Sequence, residues 1–379
     1  MDFSFTEEQT MLRDSTKDLA KERLAPLAQE ADEQAFTHPE IMKELAELGY
    51  FGICTPPEYE GAGFDTVCLA LAIEEISKVD ASIGIMLAVH NSLGLGTILN
   101  YGTEDQKRQY LPDMATGKKV GAFCVTEPEA GSDVAGIKTT AILDGDSYIL
   151  NGTKIFVTNG GIAENFIIFA ITDKEAGHRG FSAFIVEQGF SGLSVGKKET
   201  KMGMRASSTT EIIFENCKVP EQNLLGAEGQ GFKIALSSLD LSRIGVGAQA
   251  LGIAEGALNE AVEYSKVRQQ FGRPISKFQA IQFMLADMAT DIEAARMLIY
   301  KAAFAYDQGG RFSKEAAMAK LFASEAAFRC VHKALQIHGG YGYIKEYTIE
   351  RLYRDQRITE IYEGTSEVQR IVIANSILK

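Results

Sequence analysis

Near the end of the chain one carboxylate, Glu363, stands between an aromatic residue and a glycine, in the run Ile361-Tyr362-Glu363-Gly364-Thr365-Ser366-Glu367-Val368-Gln369-Arg370. Ser366 with Gln369 reads as a capping box, and Val368, Ile371, Val372 and Ile377 as the apolar face of a last helix. Glu363 is thereby expected in the turn that leads into that helix, where backbone N–H groups are unpaired. A carboxylate so placed can act as a base while a neighbouring amide polarises a carbonyl. Read by itself, the run also fits a plain helix cap.

Other chemistry-bearing runs lie upstream. Phe123-Cys124-Val125-Thr126-Glu127-Pro128-Glu129-Ala130-Gly131-Ser132-Asp133 is followed by Lys154-Ile155-Phe156-Val157-Thr158-Asn159-Gly160-Gly161. Further on come Leu239-Asp240-Leu241-Ser242-Arg243, Arg268-Gln269-Gln270-Phe271-Gly272 and Gln336-Ile337-His338-Gly339-Gly340-Tyr341-Gly342. Each alone has an ordinary explanation. Thr126-Glu127-Pro128 fits a loop-to-strand junction, and Gly339-Gly340 a helix stop. Asp240 and Arg243 fit a helix-surface ion pair of about 0.2–0.5 kcal/mol.

Three kinds of element must position these residues. Over 1–120 the pattern is helical, with capping-box pairs at Thr6/Gln9 and Thr37/Glu40 and a helix stop at Gly49. The stretches 69–76 and 82–99 are apolar on much of their circumference, as buried helices are. Over 121–230 the period shortens to that of an antiparallel β domain. Strands are expected at 140–143, 147–150, 154–157, 166–172, 181–187 and 209–214, with turns at Asp144-Gly145-Asp146 and Asn151-Gly152. Over 231–379 the helical period returns, with one helix opening at Ser276 and another running from Ser313 to Gly339-Gly340. Four long helices of this kind suggest an antiparallel bundle. The fold expected is a multidomain α+β chain of helical, β and helical domains.

Composition bounds the partners. A chain of 379 residues can bury two or three cores. A net charge of −13 argues against a nucleic-acid partner and means that an anionic ligand needs local basic residues. The five cysteines are odd in number and without a C-x-x-C pair, which fits a reducing compartment. Only His332 and His338 of the five histidines are close in sequence, and no metal site is expected. The first residues carry acids and no apolar h-region, so no secretory leader is read, and no apolar run reaches membrane-spanning length. A cytoplasmic protein without membrane insertion is expected.

As an ordered set, these runs resemble the acyl-CoA dehydrogenase family, and most of all its short-chain, butyryl-CoA type. The resemblance implies FAD as cofactor, held between the β domain and the C-terminal bundle, and Glu363 as the base. It implies flavin contacts from Phe123, Val125, Thr126, Ser132, Phe156 and Thr158, with Phe156 where some relatives carry tryptophan. Arg268, Phe271, Gln279, Gln336, Gly339 and Gly340 match residues that hold the adenine and pyrophosphate half of FAD, partly from a neighbouring subunit. Thr365 and Glu367 complete the cofactor set. Ser132, Asp240, Arg243, Tyr362 and Gly364 are the expected substrate contacts. A homotetramer built as a dimer of dimers follows from the resemblance, as do a place in fatty-acid β-oxidation and electron exit to an electron-transferring flavoprotein.

The chemistry fits those parts. Desaturating a thioester at Cα–Cβ needs a base for the α-proton, an acceptor for the β-hydride and donors for the charge on the thioester oxygen. No side chain accepts a hydride, so a cofactor must. Relatives of the isovaleryl type place the base at the position of Ser242, and this chain keeps Glu363 instead. Rival readings are an acyl-CoA oxidase, whose usual form has an extra C-terminal helical domain; a DNA-associated flavoprotein of the alkylation response, which would want a basic surface; and a flavin-binding scaffold without turnover.

Overall fold

The computed structural model describes residues 4–378; Met1 to Phe3, part of the run read for a leader, and Lys379 lie outside the described residues. The chain runs through helices, then a β region, then helices. Thr6 caps the first helix with the expected capping box to Gln9, and Gly49 takes a left-handed conformation just past the Pro39–Glu47 helix. Thr37 does not cap: His38 holds that place without a side-chain bond, and the Thr37 hydroxyl donates to the Ala206 carbonyl, drawn off by a tertiary partner.

The helix Thr66–Ser77 is buried on every side. So is most of the continuous helical stretch Ala81–Tyr101, which includes a π segment at Val89–Leu95. That stretch is long and apolar enough to cross a membrane, contrary to the expectation of no such run, but its window is 89% buried inside the protein. It is a core helix.

The central strands are β1 (Gly121–Cys124), β2 (Thr140–Asp144), β3 (Ser147–Thr158), β4 (Asn165–Ile171), β5 (Phe181–Glu187), β6 (Leu193–Lys198), β7 (Thr209–Pro220) and β8 (Leu224–Leu225). The sheet is mixed, not purely antiparallel, because β1 and the first residue of β2, Thr140, both pair parallel with β4. Alternate residues of these strands enter different cores. Phe123, Ile167, Phe169, Phe181, Ala183 and Ile185 join the helical core, while Cys124, Phe166, Ile168, Phe184 and Val186 form the β region's own core. The period of two thus fastens the β region to the helices on one face.

One hairpin forms where expected, with Gly145 at φ 65° between β2 and β3. Asn151-Gly152 is not a turn: the two short strands expected there are the single strand β3, and the pair sits on a bulge where the register against β7 shifts. A bulge and a turn draw on the same residues, and only the partner strand decides between them.

Three of the C-terminal helices are long: Gly231–Val267, Gln279–Asp307 and Ser313–His338. The two shorter helices, Thr348–Gln356 and Ser366–Ile377, pack against Ser313–His338, so the four long helices expected are three long and two short. Ser276 lies in a 3-10 turn, and its helix begins only at Gln279, because Pro274 holds the preceding backbone extended.

Candidate active site

The turn before the last helix carries Glu363 at φ 52° and Gly364 at φ 89°, two left-handed residues in succession. Glycine adopts that conformation freely, whereas glutamate is strained in it. Three buried donors hold the turn. The Lys320 Nζ donates to the Gly364 carbonyl at 2.7 Å, and the Gln369 amide donates to the carbonyls of Gly364 at 2.8 Å and Glu363 at 3.1 Å. The Arg243 Nε reaches the Glu363 carbonyl at 3.4 Å. Gln369 is therefore a clamp, not half of a capping box, and Thr365 caps the helix in place of Ser366. Ile371 and Ile377, expected on a buried face, are exposed in this chain.

The Glu363 carboxylate faces a cavity of about 490 Å³ between the β region and the helices. Among the described residues its Oε2 is buried with no hydrogen-bond partner. Burial raises the carboxyl to about 7, against the opposing pull of Lys320, Arg243 and Ser242. Beside it, the Tyr362 hydroxyl donates to Gln249 Oε1, and burial pushes that phenol well above its ordinary value, so it stays a neutral donor. Among the described residues the Glu363 N–H has no protein acceptor.

The opposite wall comes from the β region. Phe123, Val125, Thr126, Ser132, Phe156 and Thr158 all line this cavity. Phe156 reaches it through a register shift in β3 between Lys154 and Val157, with a left-handed φ of 55° that turns the ring out of the sheet; it is 61% exposed. Behind this wall the buried Lys154 ammonium binds the Glu127 carboxylate at 2.7 Å and the Val125 carbonyl at 3.3 Å. Glu127 in turn accepts from the Lys138 and Thr139 N–H groups. One ion pair thus ties the two upstream runs into one surface. Val89 and Leu93, on the π segment, close the apolar side, and π segments in helices often mark functional sites.

Arg243, Tyr362, Gly364 and Thr365 also line the cavity. Asp240 does not; it pairs with Arg243 and with the Ser313 hydroxyl. Glu367 is exposed at the start of the last helix.

A second cavity, of about 380 Å³, gathers Arg268, Gly339 and Gly340 with Tyr341, whose ring lies 5.2 Å from the Arg268 guanidinium. Gln279 and Gln336 are exposed and line neither cavity. Phe271 sits at φ 52° on the tip of the short hairpin Gln269-Gln270/Arg273-Pro274 and is 93% exposed. The residues expected around one cofactor thus form two separate groups on this chain.

Sequence reasoning missed Lys320, Gln249, the clamp made by Gln369 and the pair Lys154–Glu127. Lys320 had a readable signal, a lone lysine in the alanine stripe of Ala316, Ala319, Ala323 and Ala327. Gln249, on an all-apolar stretch of a helix, had a weaker one.

A strained carboxylate with an unpartnered oxygen, facing a wall of aromatic rings and hydroxyls, is a proton acceptor set beside a surface that a flat ring would fit. The family models agree. Residues 6–118, 122–217 and 229–378 match the N-terminal, middle and C-terminal domains of acyl-CoA dehydrogenase. The chain is 50% identical over 379 residues to the short-chain specific acyl-CoA dehydrogenase of Clostridium acetobutylicum, with all of both chains covered. It is 50% identical to the acryloyl-CoA reductase (NADH) of Anaerotignum propionicum, covering 100% of this chain and 96% of that one. A chain solved in work on the electron transferring flavoprotein of Acidaminococcus fermentans and flavin-based electron bifurcation superposes with a TM-score of 0.99, at 53% identity and full coverage of both. The chain belongs to the acyl-CoA dehydrogenase family. It is an FAD-dependent oxidoreductase of the three-domain helical, β and helical architecture.

Proposed function

We propose that the chain oxidises a short saturated acyl-CoA to its trans-2-enoyl-CoA, with Glu363 as the base and electrons leaving to an electron-transferring flavoprotein, in the β-oxidation of fatty acids in the cytoplasm. The observation that carries this reading is the buried Glu363 Oε2 without a partner, facing a cavity whose other wall is Phe156 and the Thr126, Ser132 and Thr158 hydroxyls. FAD, when bound against that wall, supplies the hydride acceptor that no side chain offers.

The chain's own residues do the rest. Phe123, Val125, Thr126, Ser132, Phe156 and Thr158 form the bed for the ring, with Thr365 and Glu367 nearby. A carboxyl raised to about 7 by burial is a much stronger base than a solvated glutamate, and it is still half ionised near neutrality. The free Glu363 N–H is the donor for charge on the thioester oxygen. Apolar walls at Val89, Leu93 and Tyr362 exclude water, while the Arg243 guanidinium, held in place by Asp240, offers positive charge for the anionic end of coenzyme A.

The cofactor residues Arg268, Phe271, Gln279, Gln336, Gly339 and Gly340 hold the adenine and pyrophosphate half of FAD, partly across a subunit boundary in a dimer of dimers. Support comes from their separation from the Glu363 cavity and from a phenylalanine left 93% exposed at a hairpin tip. The domains run over 1–120, 121–230 and 231–379. The relative called acryloyl-CoA reductase (NADH) is named for the opposite direction, and in that direction Glu363 would return a proton to the α-carbon.

The test is anaerobic mixing with butyryl-CoA. The flavin should bleach, reoxidise rapidly with an electron-transferring flavoprotein and only slowly with oxygen. Stoichiometric hydrogen peroxide at full turnover would move the assignment to an oxidase, and an unbleached flavin would overturn it.

A further inference from the structure

Lys320 is 0% exposed, yet among the described residues it lies within ion-pair distance of no carboxylate. A buried ammonium ordinarily neutralises or finds a carboxylate. This one rests on a backbone carbonyl, that of Gly364, at 2.7 Å. The helix Ser313–His338 brings it there on its alanine face, directly behind the Glu363 turn. We propose that Lys320 is a positioning residue for the base: its Nζ fixes the left-handed Glu363–Gly364 turn and keeps a positive charge behind the Glu363 carboxylate. This rests on Glu363 being the base.

The surroundings support it. Gln369 also binds the Gly364 carbonyl, so the hydrogen bond alone is duplicated; what Lys320 adds is charge. Burial presses the Lys320 ammonium down to about 7, and Glu363 is the foremost charge acting to keep it protonated. Lys320 is likewise the foremost charge favouring ionised Glu363. Arg243, from the Gly231–Val267 helix, opposes the lysine's charge, while Glu360 and Glu367 support it from the flanking segments. Ser242 also favours the Glu363 carboxylate. Each charge of the Lys320–Glu363 set therefore depends on the other.

The experiment is the pH dependence of kcat/KM for butyryl-CoA in the FAD-loaded wild type, Lys320→Met, Lys320→Gln and Lys320→Arg. Removing a cation from behind a carboxylate disfavours the ionised form, so the rising limb should move to higher pH. A shift of about one unit is expected, with kcat/KM down about fivefold at pH 7 and mostly recovered at pH 9. Lys320→Gln keeps a donor for the carbonyl and should show the same shift with less residual loss at high pH. Lys320→Arg should restore the wild-type midpoint. An unchanged midpoint in Lys320→Met, whether or not the rate falls uniformly, overturns the proposal. So does failure of all three variants to bind FAD, which would make Lys320 a folding residue. A wild type that never bleaches with an acyl-CoA would instead break the proposed function.

Discussion

Two lysines are wholly buried at this site, Lys154 under the β wall and Lys320 under the Glu363 turn, and their surroundings differ in kind. Lys154 has a carboxylate at 2.7 Å, and that carboxylate also accepts two backbone N–H groups. Burial alone would raise Glu127, but Lys154 and these hydrogen bonds outweigh it, so Glu127 ends below the ordinary carboxylate range. Among the described residues Lys320 bonds only a carbonyl, while the nearby Glu363 Oε2 has no hydrogen-bond partner. A closed pair holds a surface still. An open one leaves a carboxylate with proton affinity to use. The backbone makes the same distinction: Phe156, Phe271 and Glu363 are three of the eight non-glycine residues with positive φ among the described residues, and such strain clusters where structure serves a site.

The contrast can be broken from either side. The largest effect should come from Glu363→Gln, which keeps the turn and the FAD bed but cannot accept a proton; turnover should fall by about 10²–10⁴. Ser242→Glu in that background should restore part of it, because Ser242 is buried against the same carboxylate. Wild-type turnover in Glu363→Gln would reduce Glu363 to a helix-start residue.

Lys154→Met tests the closed pair. It strands Glu127 with no ammonium, and breaking a buried pair from one side costs about 3–5 kcal/mol. The loss should appear in thermal unfolding and FAD retention together. An unchanged melting temperature would show that the pair does not brace the wall.

A smaller effect concerns pH. Glu363 must be ionised to act, so dehydrogenation should rise with pH through about 7. The sign for stability is opposite. A carboxyl raised in the folded state favours folding at low pH and loses that contribution as pH climbs from its unfolded value toward about 7. Glu363→Gln should therefore melt above the wild type at pH 8 and much closer to it at pH 5. Equal melting temperatures at pH 8 would show that the carboxylate is not held at a cost. Smallest of all, Phe156→Ala should weaken FAD binding by the worth of one aromatic contact, about 0.5–1.5 kcal/mol, without moving the pH midpoint.

The helical, β and helical order was legible because hydrophobic period changes twice along the chain, and the cavity lining was legible because Phe123 to Ser132, Phe156, Thr158 and Tyr362 to Thr365 stand in recognisable runs. What sequence could not show depends on which groups the fold sets side by side. Gln369 looks like a capping residue until the Glu363 and Gly364 carbonyls are placed beside it, and Asn151-Gly152 looks like a turn until β7 pairs across it. The parallel contacts of β1 and β2 with β4 join residues that no local pattern links. Lys320 shows in sequence only as a charge among alanines; its meaning comes from the carbonyl above it.

Exchange of the α-proton of bound butyryl-CoA with deuterated solvent tests the role of Glu363 most directly, because it reads proton abstraction without electron exit. The wild type should exchange, faster as pH rises through about 7, and Glu363→Gln should lose at least about 10² of that rate while retaining FAD and acyl-CoA. Undiminished exchange in Glu363→Gln would place the base elsewhere and contradict the account.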